Sequence, residues 1–243
     1  MVVITGLGRC GTTLMMLVYR ELGYGVGRTL GYSERVRAGM ELAPAYAISR
    51  DMYDYYLKHG KEVDLYEKHD GKYWRATYGK TSLRDRILFL DEDTPQNRKE
   101  GIIEVIKDPR ITWHPKIIRA WWEVRKDLKL VILHRKPEEI IASRSKVGVD
   151  NWGSDAHFQD PKRAQRLHQF YEDWEAFANE VKELGIPHVL WEYPDFVDRP
   201  KGQLFMHLQS IDAMKPEIEL EEFEVAWDTV FDRDLVHNFG GGG

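Results

Sequence analysis

Residues 2–23 read VVITGLGRCGTTLMMLVYRELG, and this stretch decides the fold. Residues 2–5 form a short β-rich run that stops at Gly6, which is typical of a buried strand. Residues 12–22 are typical of a helix, and Gly23 marks its end. A glycine-containing loop between a strand and a helix can point backbone N–H groups at an anion. The stretch therefore predicts an anion-binding turn.

The loop itself lacks the lysine of a nucleoside-triphosphate loop. Gly6 and Gly11 have the spacing of the pattern G-x-x-x-x-G-K-[ST], but Thr12 stands where that pattern has its lysine, and Thr13 follows. A cation is present inside the loop instead, as Arg9. Folding alone explains two hydroxyls and a guanidinium in one turn poorly. The composition of the turn therefore favours an anion site over a plain tight turn.

The bulk composition excludes some classes of function. The chain has 243 residues, 42% of them hydrophobic, and a net charge of −5, so the basic surplus of a nucleic-acid-binding protein is absent. Cys10 is the single cysteine, which fits a reducing compartment, and we expect a cytoplasmic protein. No apolar run approaches the length of a membrane span. The N-terminal apolar run is brief and has no basic segment before it, so we expect a strand rather than a signal peptide.

Strand-like and helix-like patterns alternate along the rest of the chain. The strand-like runs are GIIEVIKDPR (101–110), LKLVILHR (128–135) and IPHVLWEY (186–193). The helix-like runs are residues 34–59, 114–127, 136–148 and 162–184. Residues 60–100 are highly charged, and we interpret them as a loop or lid. The alternation predicts an α/β fold with a central, mostly parallel sheet flanked by helices. We expect one domain over residues 1–239 and a flexible glycine tail over 240–243.

The loop GLGRCGTT, residues 6–13, resembles the signature of sulfotransferases that use 3′-phosphoadenosine 5′-phosphosulfate (PAPS). In that family the loop holds the 5′-phosphosulfate, and its basic residue precedes the second glycine by two, as Arg9 precedes Gly11. Cys10 stands where the family more often has serine, and its simplest interpretation is a small buried residue. The resemblance implies the P-loop fold of this family. It also implies cofactor contacts from Gly8, Arg9, Cys10, Gly11, Thr12 and Thr13.

Residues 129–146, KLVILHRKPEEIIASRSK, resemble the 3′-phosphate segment of the same family. The shared features are a buried strand, an arginine at its end, a proline two residues later and a serine further into the following helix. The matching residues are Arg135 and Ser143. A strand end followed by a helix is where α/β proteins place ligands, and arginine can bind a phosphate through two hydrogen bonds. Alone, each residue could be an ordinary surface group. Together they imply a 3′-phosphate site.

Two further segments are similar to parts of this family. IIEVIKDPR, residues 102–110, is similar to the K-D-P segment of many bacterial members and of the protein-tyrosine sulfotransferases. It implies that Lys107 reaches the bridging oxygen or the transferred sulfuryl group, while Asp108 orients Lys107 or caps the turn. YPDFVDRP, residues 193–200, is similar to a late family segment and implies that Tyr193 lies near the adenosine. Pro194 replaces the acidic residue of that segment.

The implied reaction also needs a general base for the acceptor hydroxyl or amine. RAGMEL, residues 37–42, resembles a glycine–glutamate segment found after the first helix in bacterial relatives, and this favours Glu41. Glu34 is the second candidate and His114 the third. Arg9, Lys107 and the loop N–H groups would stabilise the charge that develops on the leaving phosphate. The arrangement requires no metal, and the sequence contains no clear metal-ligand cluster.

The resemblance implies an enzyme that moves a sulfuryl group from PAPS to a small-molecule, carbohydrate or peptide acceptor. A P-loop kinase of small molecules is the first alternative. Thr12 speaks against it, and Asp108 could serve only loosely as its metal-binding acid. A non-catalytic nucleotide-binding module is the second, and Lys107 argues against that. Residues 24–100 contain most of the surface expected to face the acceptor, and nothing there identifies it.

Overall fold

A computed structural model describes residues 1–7, 10–27, 43–60, 64–69, 81–88, 90, 102–140 and 163–231. Its strands are β1 (Val2–Gly6), β2 (Lys68–His69), β3 (Thr81–Ser82), β4 (Val105–Lys107), β5 (Lys129–His134) and β6 (His188–Glu192). Its helices are α1 (Thr12–Glu21), α2 (Ala43–His59), α3 (Leu83–Leu88), α4 (Pro115–Val124), α5 (Arg163–Glu183), α6 (Lys201–Ser210) and α7 (Leu220–Val230). Two 3-10 helices cover Pro109–Trp113 and Asp195–Asp198.

Four of these strands form one parallel sheet in the order β4-β1-β5-β6. In register, Ile4 pairs with Lys107 and Gly6 with Leu133, so β1 lies between β4 and β5. The chain reaches β4 on one side of β1 and then crosses to β5 on the other. Such a reversal opens a crevice at the carboxyl ends of the strands, where α/β proteins bind ligands. The predicted α/β fold is confirmed.

Helices cover both faces of the sheet. Successive residues of a strand point to opposite faces, so each face has apolar side chains that a layer of helices buries. On one face, Val2, Ile4, Val131 and Leu133 pack against α1, α6 and α7 in one buried cluster. On the other face, a second buried cluster joins α2, α3, α4 and α5 to Val3, Ile106, Leu130 and Ile132. The described residues therefore form three layers, helix–sheet–helix.

The start of helix α4 is determined by its local sequence. Pro115 occupies its first position, where a missing N–H costs nothing, and His114 caps it by accepting the N–H of Lys116. Ile118 and Trp121 are fully buried one helical turn apart. The helix predicted over residues 114–127 is confirmed.

The structure differs from the prediction within residues 60–100. Residues 68–69 and 81–82 pair as antiparallel strands, and the six-residue helix α3 follows them. The interpretation of the whole segment as a loop or lid is therefore wrong for the described part. Arg86 explains the error: it is only 1% exposed, because its guanidinium pairs with Asp51 and donates to the hydroxyl of Thr81. A charged residue in the sequence thus occupies a buried position.

Other predicted boundaries lie partly outside the described residues. The helix predicted over 34–59 is described from Ala43 onward, and that predicted over 136–148 only at residues 137–140. The glycine tail lies outside as well. Helices α6 and α7 were not predicted, and α7 begins with a reciprocal capping box between Glu219 and Glu222.

Within the described residues, no helix is both long enough and apolar enough to cross a membrane.

Candidate functional site

Three of the predicted site residues lie at the carboxyl ends of strands, at one edge of the sheet. Lys107 ends β4, while Arg135 comes directly after β5 and Tyr193 directly after β6. Because all strands of the sheet are parallel, their carboxyl ends meet at this edge, which we call the carboxyl edge. Helix α1 also begins here, after the loop that leaves β1. The fold thus gathers two cations, a tyrosine and a helix N-terminus.

The loop before α1 has little room at Gly11. This residue has φ 86°, in the left-handed region that favours glycine. A Cβ atom placed on it would lie 3.0 Å from the ring carbons of both Tyr193 and Phe196. Backbone conformation and space therefore both require glycine. The segment after β6 forms the wall against which the loop packs.

Cys10 lies in the same turn, and its side chain is fully buried. Its Sγ lies only 2.6 Å from the position that a Cβ on Gly6 would take. The thiol is therefore directed into the core at the end of β1. This confirms the interpretation of Cys10 as a small buried residue, and a contact from it to an anion would have to use its backbone.

The N-terminus of α1 is electrostatically suited to an anion. Among the residues that the structure describes, no side chain caps it, and its first turn contains no acidic residue. Thr12 and Thr13, its first two residues, are 3% and 8% exposed. The unpaired N–H groups at a helix start carry a partial positive charge. A negative group at this point would be stabilised by the helix itself.

Lys107 adds a full positive charge at the same place. Its side chain is buried, 3% exposed, and Nζ donates a hydrogen bond to Oγ1 of Thr13 at 3.0 Å. Burial of an ammonium is costly unless charge or hydrogen bonding compensates it. The positive end of α1 makes that cost larger. An anion between the two would lower it.

Asp108 fixes the backbone next to Lys107. It is fully buried, and Oδ1 accepts the backbone N–H of Arg110 at 3.1 Å and lies 3.0 Å from its Nε. The carbonyl of Asp108 accepts the hydroxyl of Thr5 at 2.9 Å. The side chain thus caps the 3-10 helix, as the sequence predicts. This pairing also commits the carboxylate to Arg110, which makes it poorly suited to hold a metal ion for a kinase.

Arg135 is held at the end of β5 and is also 3% exposed. Its Nε donates to Oε2 of Glu139 at 3.1 Å. Its guanidinium carbon lies 4.8 Å from the ring centroid of Tyr193, within the range of a cation–π contact. The backbone N–H of Tyr193 donates to the carbonyl of His134 at 2.7 Å, which ties the two segments together. Arg135 and Tyr193, predicted from separate motifs, are therefore neighbours.

His114 lies in the wall of a cavity of about 330 Å³ between α2 and α4. Its ring packs against Tyr56 with centroids 3.8 Å apart, and Nδ1 accepts the N–H of Lys116 at 3.2 Å. In a neutral imidazole one nitrogen carries the proton and the other accepts. The accepting nitrogen is already used as a helix cap. This geometry argues against His114 as the general base.

The remaining predicted residues lie outside the described part of the chain: Gly8, Arg9, Glu34, Gly39, Glu41 and Ser143. Their roles stay predictions. Sequence reasoning in turn missed Glu139, which pairs with Arg135, and Phe196, which packs on Gly11. The spacing of four residues between Arg135 and Glu139 was a usable signal. Nothing in the sequence marks the contact of Phe196.

Among the described residues, no three His, Cys, Asp or Glu side chains are grouped so that they could hold a metal ion.

No protein-family model matches the sequence, and no curated protein does so at a significant level. Among solved structures, the chain is similar to a sulfotransferase domain from the curacin biosynthetic pathway, with 15% identity and a TM-score of 0.47 over 90% of this chain and 75% of that one. It is also similar to sulfotransferase STF1 of Mycobacterium tuberculosis H37Rv, with 16% identity and a TM-score of 0.46 over 94% and 70%.

Proposed function

We propose that the chain is a sulfotransferase that moves a sulfuryl group from PAPS to a hydroxyl or amine of its acceptor. One observation carries this proposal. Two buried cations, Lys107 and Arg135, lie at the carboxyl edge together with the uncapped start of α1. A donor with two separate anionic groups, a 5′-phosphosulfate and a 3′-phosphate, matches two separate cationic positions.

The residues present fit such a donor. Thr12, Thr13 and the N–H groups at the start of α1 are hydrogen-bond donors suited to the 5′-phosphosulfate, with Lys107 beside them. Arg135 would bind the 3′-phosphate, since a guanidinium fork matches phosphate oxygens. Tyr193 lies against that arginine and would contact the adenosine. Arg9 and Ser143 are the further contacts that the sequence predicts.

In the proposed step, an acceptor oxygen or nitrogen forms a bond to sulfur while the bond between sulfur and the bridging oxygen breaks. The electron pair of that bond stays on the 5′-phosphate, and the acceptor proton passes to a general base. Lys107 and Arg9 would stabilise the negative charge that develops on the phosphate. Positioning and charge stabilisation would supply most of the rate, as in phosphoryl transfer. Glu41 is the proposed base, with Glu34 as the alternative.

A small-molecule kinase is the competing proposal. It would require a lysine in the loop and a carboxylate available for Mg²⁺ after a strand. Thr12 replaces the lysine, and the carboxylate of Asp108 is paired with Arg110. Both features favour sulfuryl over phosphoryl transfer.

Thermal unfolding with nucleotides tests the donor. We expect adenosine 3′,5′-bisphosphate to stabilise the fold more than AMP or ATP with Mg²⁺, because only the first has a 3′-phosphate for Arg135. A ligand at 100 times its Kd adds about 2.7 kcal/mol of apparent stability. Equal shifts with the bisphosphate and AMP would refute the donor assignment. Release of adenosine 3′,5′-bisphosphate from PAPS with a panel of hydroxyl and amine acceptors then separates an enzyme from a non-catalytic binding module.

A further inference from the structure

The side chain of Arg135 is fixed by a carboxylate that the sequence motifs do not include. Glu139 accepts the hydrogen bond of Nε at 3.1 Å, and the ring of Tyr193 lies 4.8 Å from the guanidinium carbon. Arg135 is 3% exposed, whereas the side chain of Glu139 is 39% exposed. A partly solvated carboxylate thus reaches down to a buried cation.

Helix stability does not account for this pair well. Arg135 precedes the helix, which begins at residue 137, so the pair does not link two turns of one helix. A carboxylate next to a phosphate site is also unfavourable in Coulomb terms, because like charges repel. The position of this carboxylate beside the arginine that we propose to bind a phosphate therefore requires another explanation.

The orientation of the arginine side chain provides that explanation. Arginine has a long, flexible side chain, and its planar fork binds a phosphate well only when the plane is correctly set. A hydrogen bond at Nε fixes the rotation of the guanidinium, and the face of Tyr193 limits its tilt. Together they restrict the orientation of the guanidinium plane.

We propose that Glu139 is a positioning residue that sets the guanidinium plane of Arg135 for the 3′-phosphate of the nucleotide. This inference rests on the proposed function, since it names how that site is held ready. It assigns Glu139 no contact with the nucleotide.

Glu138 offers a matched control on the same helical turn. Its carboxylate accepts the hydroxyl of Tyr171 at 2.7 Å, and this hydrogen bond lowers the pKa of Glu138. The residue has the same charge and neighbours Glu139 in sequence, but it is bonded to α5 and not to Arg135. Glu138→Ala therefore removes an equal charge from the same place without releasing the guanidinium.

The experiment measures the Kd of adenosine 3′,5′-bisphosphate and of AMP by calorimetry for the wild type, Glu139→Ala, Glu139→Gln and Glu138→Ala. We expect Glu139→Ala to weaken the bisphosphate about tenfold, as for the loss of a hydrogen bond to a charged group, and to leave AMP unchanged. Glu139→Gln should stay within about twofold of the wild type, because its amide oxygen accepts the same hydrogen bond. Glu138→Ala should leave both constants unchanged. Thermal unfolding without ligand confirms that each variant folds.

Three results would overturn the inference while leaving the proposed function intact. Tighter binding of the bisphosphate by Glu139→Ala would mean that the carboxylate only repels the phosphate. An equal loss in Glu139→Gln and Glu139→Ala would mean that charge, not the hydrogen bond, matters. Unchanged binding in Glu139→Ala would mean that the guanidinium needs no support. A wild type with equal affinity for the bisphosphate and AMP would instead refute the donor assignment, and with it the inference.

Discussion

The ammonium of Lys107 and the hydroxyl of Thr13 are joined by a 3.0 Å hydrogen bond, in a position where both are buried. The bond links the end of β4 to the first turn of α1. It places a full positive charge beside the positive end of a helix dipole. An anion bound between the two would be attracted by both positive charges, so the arrangement is suited to anion binding.

That geometry predicts a loss of activity in Lys107→Met, with the fold retained. Methionine fills a similar volume without a charge, so we expect the ligand-free protein to fold and to keep a cooperative thermal transition. We expect sulfuryl transfer to fall by at least about 10²-fold in kcat, the usual cost of removing a donor that stabilises transition-state charge. Thermal unfolding and steady-state kinetics with varied PAPS measure the two.

Lys126→Met is the control for this change. Lys126 is exposed and precedes β5, at the opposite edge of the sheet. Its ammonium lies 5.0 Å from the ring centroid of Trp122, so its substitution removes the same charge far from the site and should leave kcat and folding unchanged, with at most a small shift in melting temperature from this contact. A Lys107→Met protein with normal kcat would remove Lys107 from the chemistry, and one with a strongly lowered melting temperature would show that the ammonium stabilises the fold.

The glycine at the start of α1 provides a second prediction. Gly11→Ala should destabilise by more than Gly23→Ala, although both residues have positive φ, 86° and 78°. Left-handed strain costs about 1–3 kcal/mol at either position. Only at Gly11 would the new methyl also press on Tyr193 and Phe196, since nothing lies within 4 Å of a Cβ on Gly23.

Binding should separate these two variants further. Gly11→Ala should weaken adenosine 3′,5′-bisphosphate, because the displaced rings include the tyrosine that contacts Arg135. Gly23→Ala, at the far end of α1, should bind normally. Denaturant unfolding and calorimetry provide both readings. Equal destabilisation and equal binding would show that the packing of Gly11 against these rings has no consequence.

The parallel sheet could be predicted from sequence because its strands are short apolar runs with helical segments between them. That topology alone explains why Lys107, Arg135 and Tyr193 lie at the same edge of the sheet, since each is at or directly after the carboxyl end of a strand. Helix α3 could not be predicted, because the burial of Arg86 depends on Asp51, 35 residues away. Apolar periodicity cannot show that a distant carboxylate compensates a buried charge.

The contacts within the site could be predicted from the sequence only in part. The spacing of Arg135 and Glu139 indicated a possible pair, but a surface pair of this kind is common and carries little weight alone. The burial of Arg135 and its contact with the ring of Tyr193, which only the structure shows, distinguish this pair from an ordinary surface pair. His114 gives a similar example. The sequence suggested this histidine as a general base, but its accepting nitrogen binds a backbone N–H at the start of α4.

A third prediction concerns pH and lies away from the site. The carboxyl of Asp127 accepts hydrogen bonds from Arg125 at 2.8 and 2.9 Å, and these hold its pKa well below the usual range. A lowered pKa in the folded state contributes stability above the unfolded-state pKa of about 3.9, and this contribution is lost as pH falls.

We therefore expect Asp127→Asn to be less stable than the wild type at pH 7, by about 1 kcal/mol or less because the side chain is half-exposed. The difference should shrink as pH falls below about 4. Urea unfolding at pH 7 and pH 3 measures it. A difference of the same size at both values would mean that the carboxylate charge is not responsible.

The last prediction concerns the loop in which Thr12 replaces lysine. If Arg9 supplies the missing cation, Arg9→Ala should leave the fold intact, since one loop side chain contributes little to the core. It should lower both PAPS affinity and turnover, because the cation would contact the ground state and the transition state alike.

Adding Thr12→Lys should not restore transfer, because Thr12 is 3% exposed and a lysine there would leave the helix at a different point. Nor should the double variant hydrolyse ATP, since Asp108 is committed to Arg110. Sulfuryl transfer and ATP hydrolysis by the wild type, Arg9→Ala and Arg9→Ala/Thr12→Lys test this, and near-normal transfer by Arg9→Ala would show that the loop cation is not part of the site.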